Sequence, residues 1–200
     1  HRGPDDSGIY QDEDIFLGHT RLSILDLSHG HQPMVSDHGR FVIVYNGEIY
    51  NYLTLRDELL KKRISLSSTS DTEVILNLYQ HYGLHDTLDM IEGMFAFAIW
   101  DKLEKVLFLA RDRIGEKPLY YARTSQDFLF SSEIKSILDT RIIGDELNVD
   151  GFYEYFCRSK ISGERTFYKD IYELNPGHYF LVNSNVKTPQ KRCYWTIVDT

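Results

Sequence analysis

Apolar residues fall in short runs along most of this chain, and helical periodicity is confined to a few stretches. Residues 15–25 (IFLGHTRLSIL) and 41–45 (FVIVY) are dense in β-branched and aromatic types and predict strands. Leu53, Leu55, Leu59 and Leu60 read as one helical face, which predicts an amphipathic helix over 52–62. Ile64 to Ser68 alternates and predicts a short strand, and Val74, Ile75, Leu78, Tyr79 and Tyr82 predict a helix over 72–82. In the second half, residues 94–100, 106–111, 118–122 and 127–131 are apolar runs broken by Asp101-Lys102, Gly115 and Ser125-Gln126, the spacing of an antiparallel meander. Helices over 132–139 and 150–157, a turn at Asn175-Pro176-Gly177 and a strand from His178 to Val182 complete the pattern, before a polar stretch over 183–193. Strands first interleaved with helices and then paired locally predict an α+β fold with antiparallel sheet.

Composition narrows the partners. Lys and Arg number 22 against 30 Asp and Glu, a net charge of −8, with no basic stripe, which argues against nucleic acid and anionic membrane. The longest apolar run, Met94 to Trp100, is far short of the roughly 20 residues needed to span a bilayer. No apolar segment follows a basic start, so no secretory signal is expected. Cys157 and Cys193 form no CxxC and no disulfide framework, which fits a reducing, cytoplasmic setting. Residue 1 is His rather than Met, so the expectation is a processed chain or a piece of a longer one.

Three motifs carry candidate chemistry. Asn46-Gly47 sits between FVIVY and EIYNY and reads two ways. It is a strong signal for a type I′ hairpin turn. It also places a side-chain amide beside a glycine N–H, the paired donors an oxyanion hole needs. Ser70-Asp71-Thr72-Glu73 is a capping box, with Ser70 as N-cap and Glu73 reaching back, and it leaves Asp71 free to pair with an ammonium group. Arg21, in an otherwise apolar strand, is either an edge residue or a bidentate clamp for a carboxylate. His29, His31 and His38 match no metal-ligand spacing, so no metal is expected. Arg111 to Tyr121 reads as a charged turn with Gly115 at positive φ and its charges in water, and GMFAFAIWD (93–101) as a buried central strand. No GxxxxGK[ST] or GxGxxG is present, so no nucleotide site is visible.

The ordered set HRGPD (1–5), GHTRLSILD (18–26), HQPM (31–34), YNGEIYNY (45–52), SDTEVIL (70–76), GMFAFAIWD (93–101), RDRIGEKPLYY (111–121) and SSEIKSIL (131–138) resembles the class II glutamine amidotransferase domain of glutamine-hydrolysing asparagine synthetases. The resemblance runs from residue 1 to Tyr194-Trp195. It implies an N-terminal-nucleophile hydrolase fold, a four-layer α/β/β/α sandwich of two antiparallel sheets. It implies residues 1–182 as the amidotransferase domain and 183–200 as a tail toward a synthetase domain that uses ATP and Mg2+, with no cofactor in the first domain. In such a domain an amino-terminal Cys attacks the glutamine amide, its own α-amino group serves as base, ammonia leaves and water resolves the thioester. Carried onto this sequence, Arg21 would bind the α-carboxylate of L-glutamine, with Leu22, Ser23, Ile24 and Leu25 lining the pocket. Asn46 and Gly47 would form the oxyanion hole, Glu48 would contact the amide region and Asp71 would hold the α-ammonium. One ligand needing all three chemistries favours the oxyanion reading of Asn46-Gly47 over the hairpin.

The resemblance places the nucleophilic Cys a few dozen residues ahead of HRGPD, outside these 200 residues. Cys157 and Cys193, with blocked backbone nitrogens, are expected to be inert structural thiols. Two other readings stay open on the sequence: a glutamine-binding module without catalysis, and an amidotransferase for a different carboxylate acceptor. Nothing in the pattern decides whether the chain forms a homodimer.

Overall fold

The computed structural model describes residues 3–22, 30–184 and 189–197. Its elements are strands β1 (Asp6–Gln11), β2 (Phe16–Arg21), β3 (Met34–Val35) and β4 (Phe41–Ile49), helices α1 (Tyr52–Lys61) and α2 (Asp71–Met90), and strands β5 (Gly93–Asp101), β6 (Val106–Arg111), β7 (Tyr120–Arg123) and β8 (Phe128–Ser131). Helices α3 (Ile134–Asp139) and α4 (Val149–Arg158) and strands β9 (Ile171–Glu173), β10 (His178–Asn183) and β11 (Gln190–Cys193) follow. Among the described residues every strand ladder is antiparallel, in three sheets: β1-β2, β11-β10-β6-β5-β4-β3 and β8-β7-β9.

Side-chain alternation explains the layering. On β4, β5 and β6 the residues Phe41, Ile43, Tyr45, Phe95, Phe97, Ile99 and Phe108 face α1 and α2, where Leu55, Leu59, Val74, Ile75 and Leu78 complete one core. The opposite face carries Val42, Val44, Ala96, Ala98, Trp100, Leu107 and Leu109. Leu17 of β2 and Tyr121, Phe128 and Phe130 of the three-stranded sheet pack onto that face. A third, small core of Ala122, Ile137 and Ile171 joins α3 to the outer side of the three-stranded sheet. The order is therefore helix, sheet, sheet, helix, an α+β sandwich whose second sheet layer is made of two separate ladders.

Several expectations are corrected. The four-run meander splits after β6, because β7 and β8 pair with β9 on the other layer. Residues 64–68 form no strand; Ile64 and Leu66 tuck against the helical core instead, and the N–H groups of Ile64, Ser67 and Ser68 are taken by the Leu59 carbonyl and the Glu73 carboxylate. In α1 only Leu55 and Leu59 are buried; Leu53 and Leu60 are 61% and 45% exposed, since 100° per residue puts them on the opposite side. Ser70 does cap α2, its hydroxyl accepting from Thr72 N at 3.1 Å. Glu73, however, reaches past it to the N–H groups of Ser67 and Ser68, both at 2.7 Å.

The largest correction concerns residues 111–117. Asp112 is wholly buried, and its carboxylate accepts from the N–H groups of Phe95, Ile114, Gly115, Glu116 and Lys117 at 2.6–3.2 Å. The Arg111 guanidinium, also buried, donates to the carbonyls of Lys117, Leu174 and Gly115 and pairs with Glu173 at 2.7 Å. These charges hold a crossing between the two sheet layers rather than facing water. Cys157 and Cys193 are exposed, so neither serves the core. Gln190–Cys193, in the polar stretch, adds an edge strand against β10. Among the described residues no helix is long and apolar enough to cross a membrane.

Candidate active site

Strand β4 runs unbroken through Asn46-Gly47, with Asn46 opposite Ala96 and Gly47 opposite Phe95 on β5. The hairpin reading is thereby overturned: the turn the dipeptide favours is overridden by a nine-residue ladder. Gly47 is required for a packing reason. A Cβ there would lie 2.2 Å from the Met94 carbonyl and 2.8 Å from Phe95 Cα, which no side chain can occupy.

On its other side β4 is partnered by β3 only at Val42 and Ile43. Beyond that point no strand among the described residues pairs with this edge of β4. Phe95 gives its carbonyl to Asp112 N at 2.8 Å and its N–H to the Asp112 carboxylate at 3.2 Å, so the Phe95–Gly47 pair makes no mutual bonds. By strand alternation, Tyr45, Gly47 and Ile49 then all aim their backbone groups at this edge. Two of the three N–H groups are taken by side chains. Tyr45 N donates to Gln32 Oε1 at 2.6 Å, and Ile49 N donates to Asp71 Oδ2 at 3.2 Å. Between them the Gly47 N–H faces the same edge. The Asn46 amide projects to the inter-sheet face, where its Nδ2 lies 3.4 Å from Ser132 Oγ.

Asp71 is the first residue of α2 and only 5% exposed. It accepts from the Tyr45 hydroxyl at 2.8 Å as well as from Ile49 N. Burial pushes its carboxyl above the ordinary value, against the opposing pull of those bonds. The Tyr45 hydroxyl is driven strongly upward, first by burial and then by the Asp71 charge, so it remains a neutral donor. His19 Nε2 lies 3.0 Å from the Tyr45 carbonyl, and burial lowers the imidazole below its usual value despite that bond. A carbonyl only accepts, so the His19 proton sits on Nε2, and Nδ1 is buried without a hydrogen-bond partner among the described residues.

Arg21 closes β2 with 8% exposure, and Leu22 stands at the rim with 61%. Glu48 is exposed on the strand after Gly47. Arg21, Leu22, Asn46, Gly47, Glu48 and Asp71 all line one cavity of about 1850 Å³, which continues between the sheets past Ala96 and Ala98. Ser23, Ile24 and Leu25 lie outside the described residues. Among the described residues no three His, Cys, Asp or Glu side chains gather in a metal-ligating cluster. Tyr45, Gln32 and His19 were not singled out as site residues by the sequence reading. Only HQPM offered a signal for Gln32, since an amide between a His and a Pro carries no periodicity of its own.

The cavity lining therefore brings together a carboxylate that a cation would satisfy, a buried arginine, a side-chain amide and a glycine N–H. Residues 1–195 match the family model described as the glutamine amidotransferase domain. The chain belongs to this family. A protein of Bacillus subtilis named asparagine synthetase (glutamine-hydrolyzing) 3 is 41% identical to this amidotransferase domain over 88% of the chain and 29% of its own length. Another from the same organism, asparagine synthetase (glutamine-hydrolyzing) 2, is 37% identical over 100% of the chain and 27% of its own length. The domain thus spans less than a third of these relatives. Among solved structures, the glutamine phosphoribosylpyrophosphate amidotransferase of B. subtilis superposes with a TM-score of 0.62 at 19% identity, over 89% of this chain and 34% of that one. That likeness concerns the fold alone.

Proposed function

We propose that this domain hydrolyses the side-chain amide of L-glutamine and supplies the ammonia to a synthetase domain of the same protein for ATP-dependent amidation of aspartate. The observation that carries the reading is the cavity lining along β4: the Gly47 N–H faces the strand edge, the adjoining Asn46 amide projects to the inter-sheet face, and Asp71, bonded to Ile49 N two residues beyond Gly47, lines the same cavity. Glutamine needs this pairing, because its amide carbonyl becomes an oxyanion while its α-ammonium seeks an anion. Arg21 would take the α-carboxylate in a two-pronged contact, with Leu22 to Leu25 closing around the chain and Glu48 near the amide. The resemblance implies an amino-terminal Cys ahead of His1 as nucleophile. Its sulfur bonds to the amide carbon, the C–N bond breaks with a proton delivered to the departing nitrogen, and water cleaves the thioester to glutamate. ATP and Mg2+ would be held by the synthetase domain, beyond residue 183, in a cytoplasmic enzyme.

The test is to incubate the full-length natural protein with amide-labelled glutamine and follow glutamate and labelled ammonia. Adding aspartate and ATP should then yield labelled asparagine. No glutamate would overturn the glutaminase reading; glutamate without asparagine would point to another acceptor.

The raised Asp71 carboxyl gives a pH prediction. Asp71 must be ionised to attract the α-ammonium, and burial makes it take up a proton at a higher pH than an ordinary carboxyl. On acidification, kcat/KM for glutamine should therefore begin to fall above the usual carboxylate range. Glutaramate, which keeps the amide and carboxylate but lacks the amino group, should show a weaker acid limb. Identical limbs for the two substrates would speak against Asp71 as the ammonium partner.

A further inference from the structure

Gln32 has no role in the reading above, yet it is 6% exposed and committed at both ends of its amide. Its Oε1 accepts from Tyr45 N at 2.6 Å, and its Nε2 donates to Thr72 Oγ1 at 3.3 Å. The direction is dictated by chemistry: a backbone N–H needs the carbonyl end, which leaves the NH2 end for the threonine hydroxyl. Tyr45 is the residue before Asn46-Gly47, and Thr72 the residue after Asp71. One side chain thus ties the strand that carries the paired donors to the helix turn that carries the carboxylate.

The rest of the neighbourhood holds Gln32 still. Gly8 of β1 lets the Gln32 carbonyl approach so closely that a Cβ there would stand 2.2 Å from it. The preceding His31 is anchored to Asp6 at 2.6 Å. On the same strand edge, His19 binds the Tyr45 carbonyl. Gln32 and His19 together occupy the backbone positions that a neighbouring strand would fill, at the place where β3 stops. A paired strand there would cover the Gly47 N–H as well; two side chains leave it facing the cavity. The Tyr45 hydroxyl adds a second tie to Asp71, so the spacing between donors and carboxylate is fixed from two directions.

We infer that Gln32 is a positioning residue that, through Tyr45 and Thr72, sets the distance between the Asn46-Gly47 donors and Asp71, and with it the preference for amides that carry an α-ammonium group. This rests on the glutaminase reading and deepens it. A substrate gripped at both ends feels that distance, whereas one lacking the amino group does not.

The experiment measures kcat/KM for glutamine and for glutaramate on the full-length protein and compares their ratio among variants. Gln32→Leu removes both hydrogen bonds, and Thr72→Val cuts only the tie to the helix while keeping shape, which preserves the test if the first variant fails to fold. Each should reduce the glutamine-to-glutaramate ratio by roughly tenfold, because a misplacement on the order of 1 Å is enough to cost that much in a two-point grip. Thr72→Ser keeps the hydroxyl and should retain the wild-type ratio. A role in folding alone would lower both substrates together and leave the ratio unchanged, which would overturn the inference. Wild-type protein that released ammonia from neither substrate would instead overturn the glutaminase reading, and this inference with it.

Discussion

Replacing Asn46 with alanine is expected to lower kcat for glutamine hydrolysis by about 10²–10³-fold, with a much smaller change in KM. The Asn46 side chain projects into the inter-sheet cavity from a strand whose other face is sealed by the helical core, so its removal empties a donor position without disturbing the ladder. A donor fixed before the reaction stabilises charge that exists only after the nucleophile has attacked, so its loss registers in the transition state rather than in ground-state binding. Asn46→Asp should be at least as damaging, since an anion would then face a developing anion. Stopped assays on the full-length protein, with circular dichroism to confirm folding, check both. A variant Asn46→Ala that keeps kcat within threefold of wild type would remove Asn46 from the oxyanion site.

The second large effect is on stability. Asp112→Ala is expected to destabilise the domain by about 3–5 kcal/mol, through loss of the acceptor for five backbone N–H groups at a buried crossing. For a domain of this size that corresponds to a Tm drop of roughly 6–20 °C. Asp112→Asn should lose nearly as much, because its NH2 would point at donors. Arg111, at the end of β6 next to that loop, is bonded to Leu174 and Glu173, so the two sheet layers should loosen together. Thermal unfolding followed by circular dichroism measures this; a shift under 3 °C would mean that water replaces the carboxylate at little loss.

Candidate chemistry for the site was legible in residue type, and the choice between its readings came from the family resemblance. A carboxylate for ammonium, an arginine for carboxylate and paired donors for an oxyanion were all readable at Asp71, Arg21 and Asn46-Gly47, and all of these now line one cavity. What supports them was not. Gln32 and His19 act on the backbone of Tyr45, 13 and 26 residues away, and no local pattern couples such positions. Tyr45 itself read as one more apolar strand residue, because its hydroxyl matters only where α2 delivers Asp71.

By itself the sequence determined the four helices, the strands β2, β4, β5, β6, β7, β8 and β10, and the membership of the chain in the glutamine amidotransferase family, because these follow from side-chain volume, alternation and short motifs, whereas β1, β3, β9 and β11 emerged only in the structure. Tertiary structure alone decided that Asn46-Gly47 is a strand edge rather than a turn, that β7 and β8 leave the first sheet, and that Asp112 is buried. The reason is common to all three. Whether a backbone N–H or a charge meets water, a neighbouring strand or a distant side chain depends on what packs beside it, and a short-range pattern does not carry that.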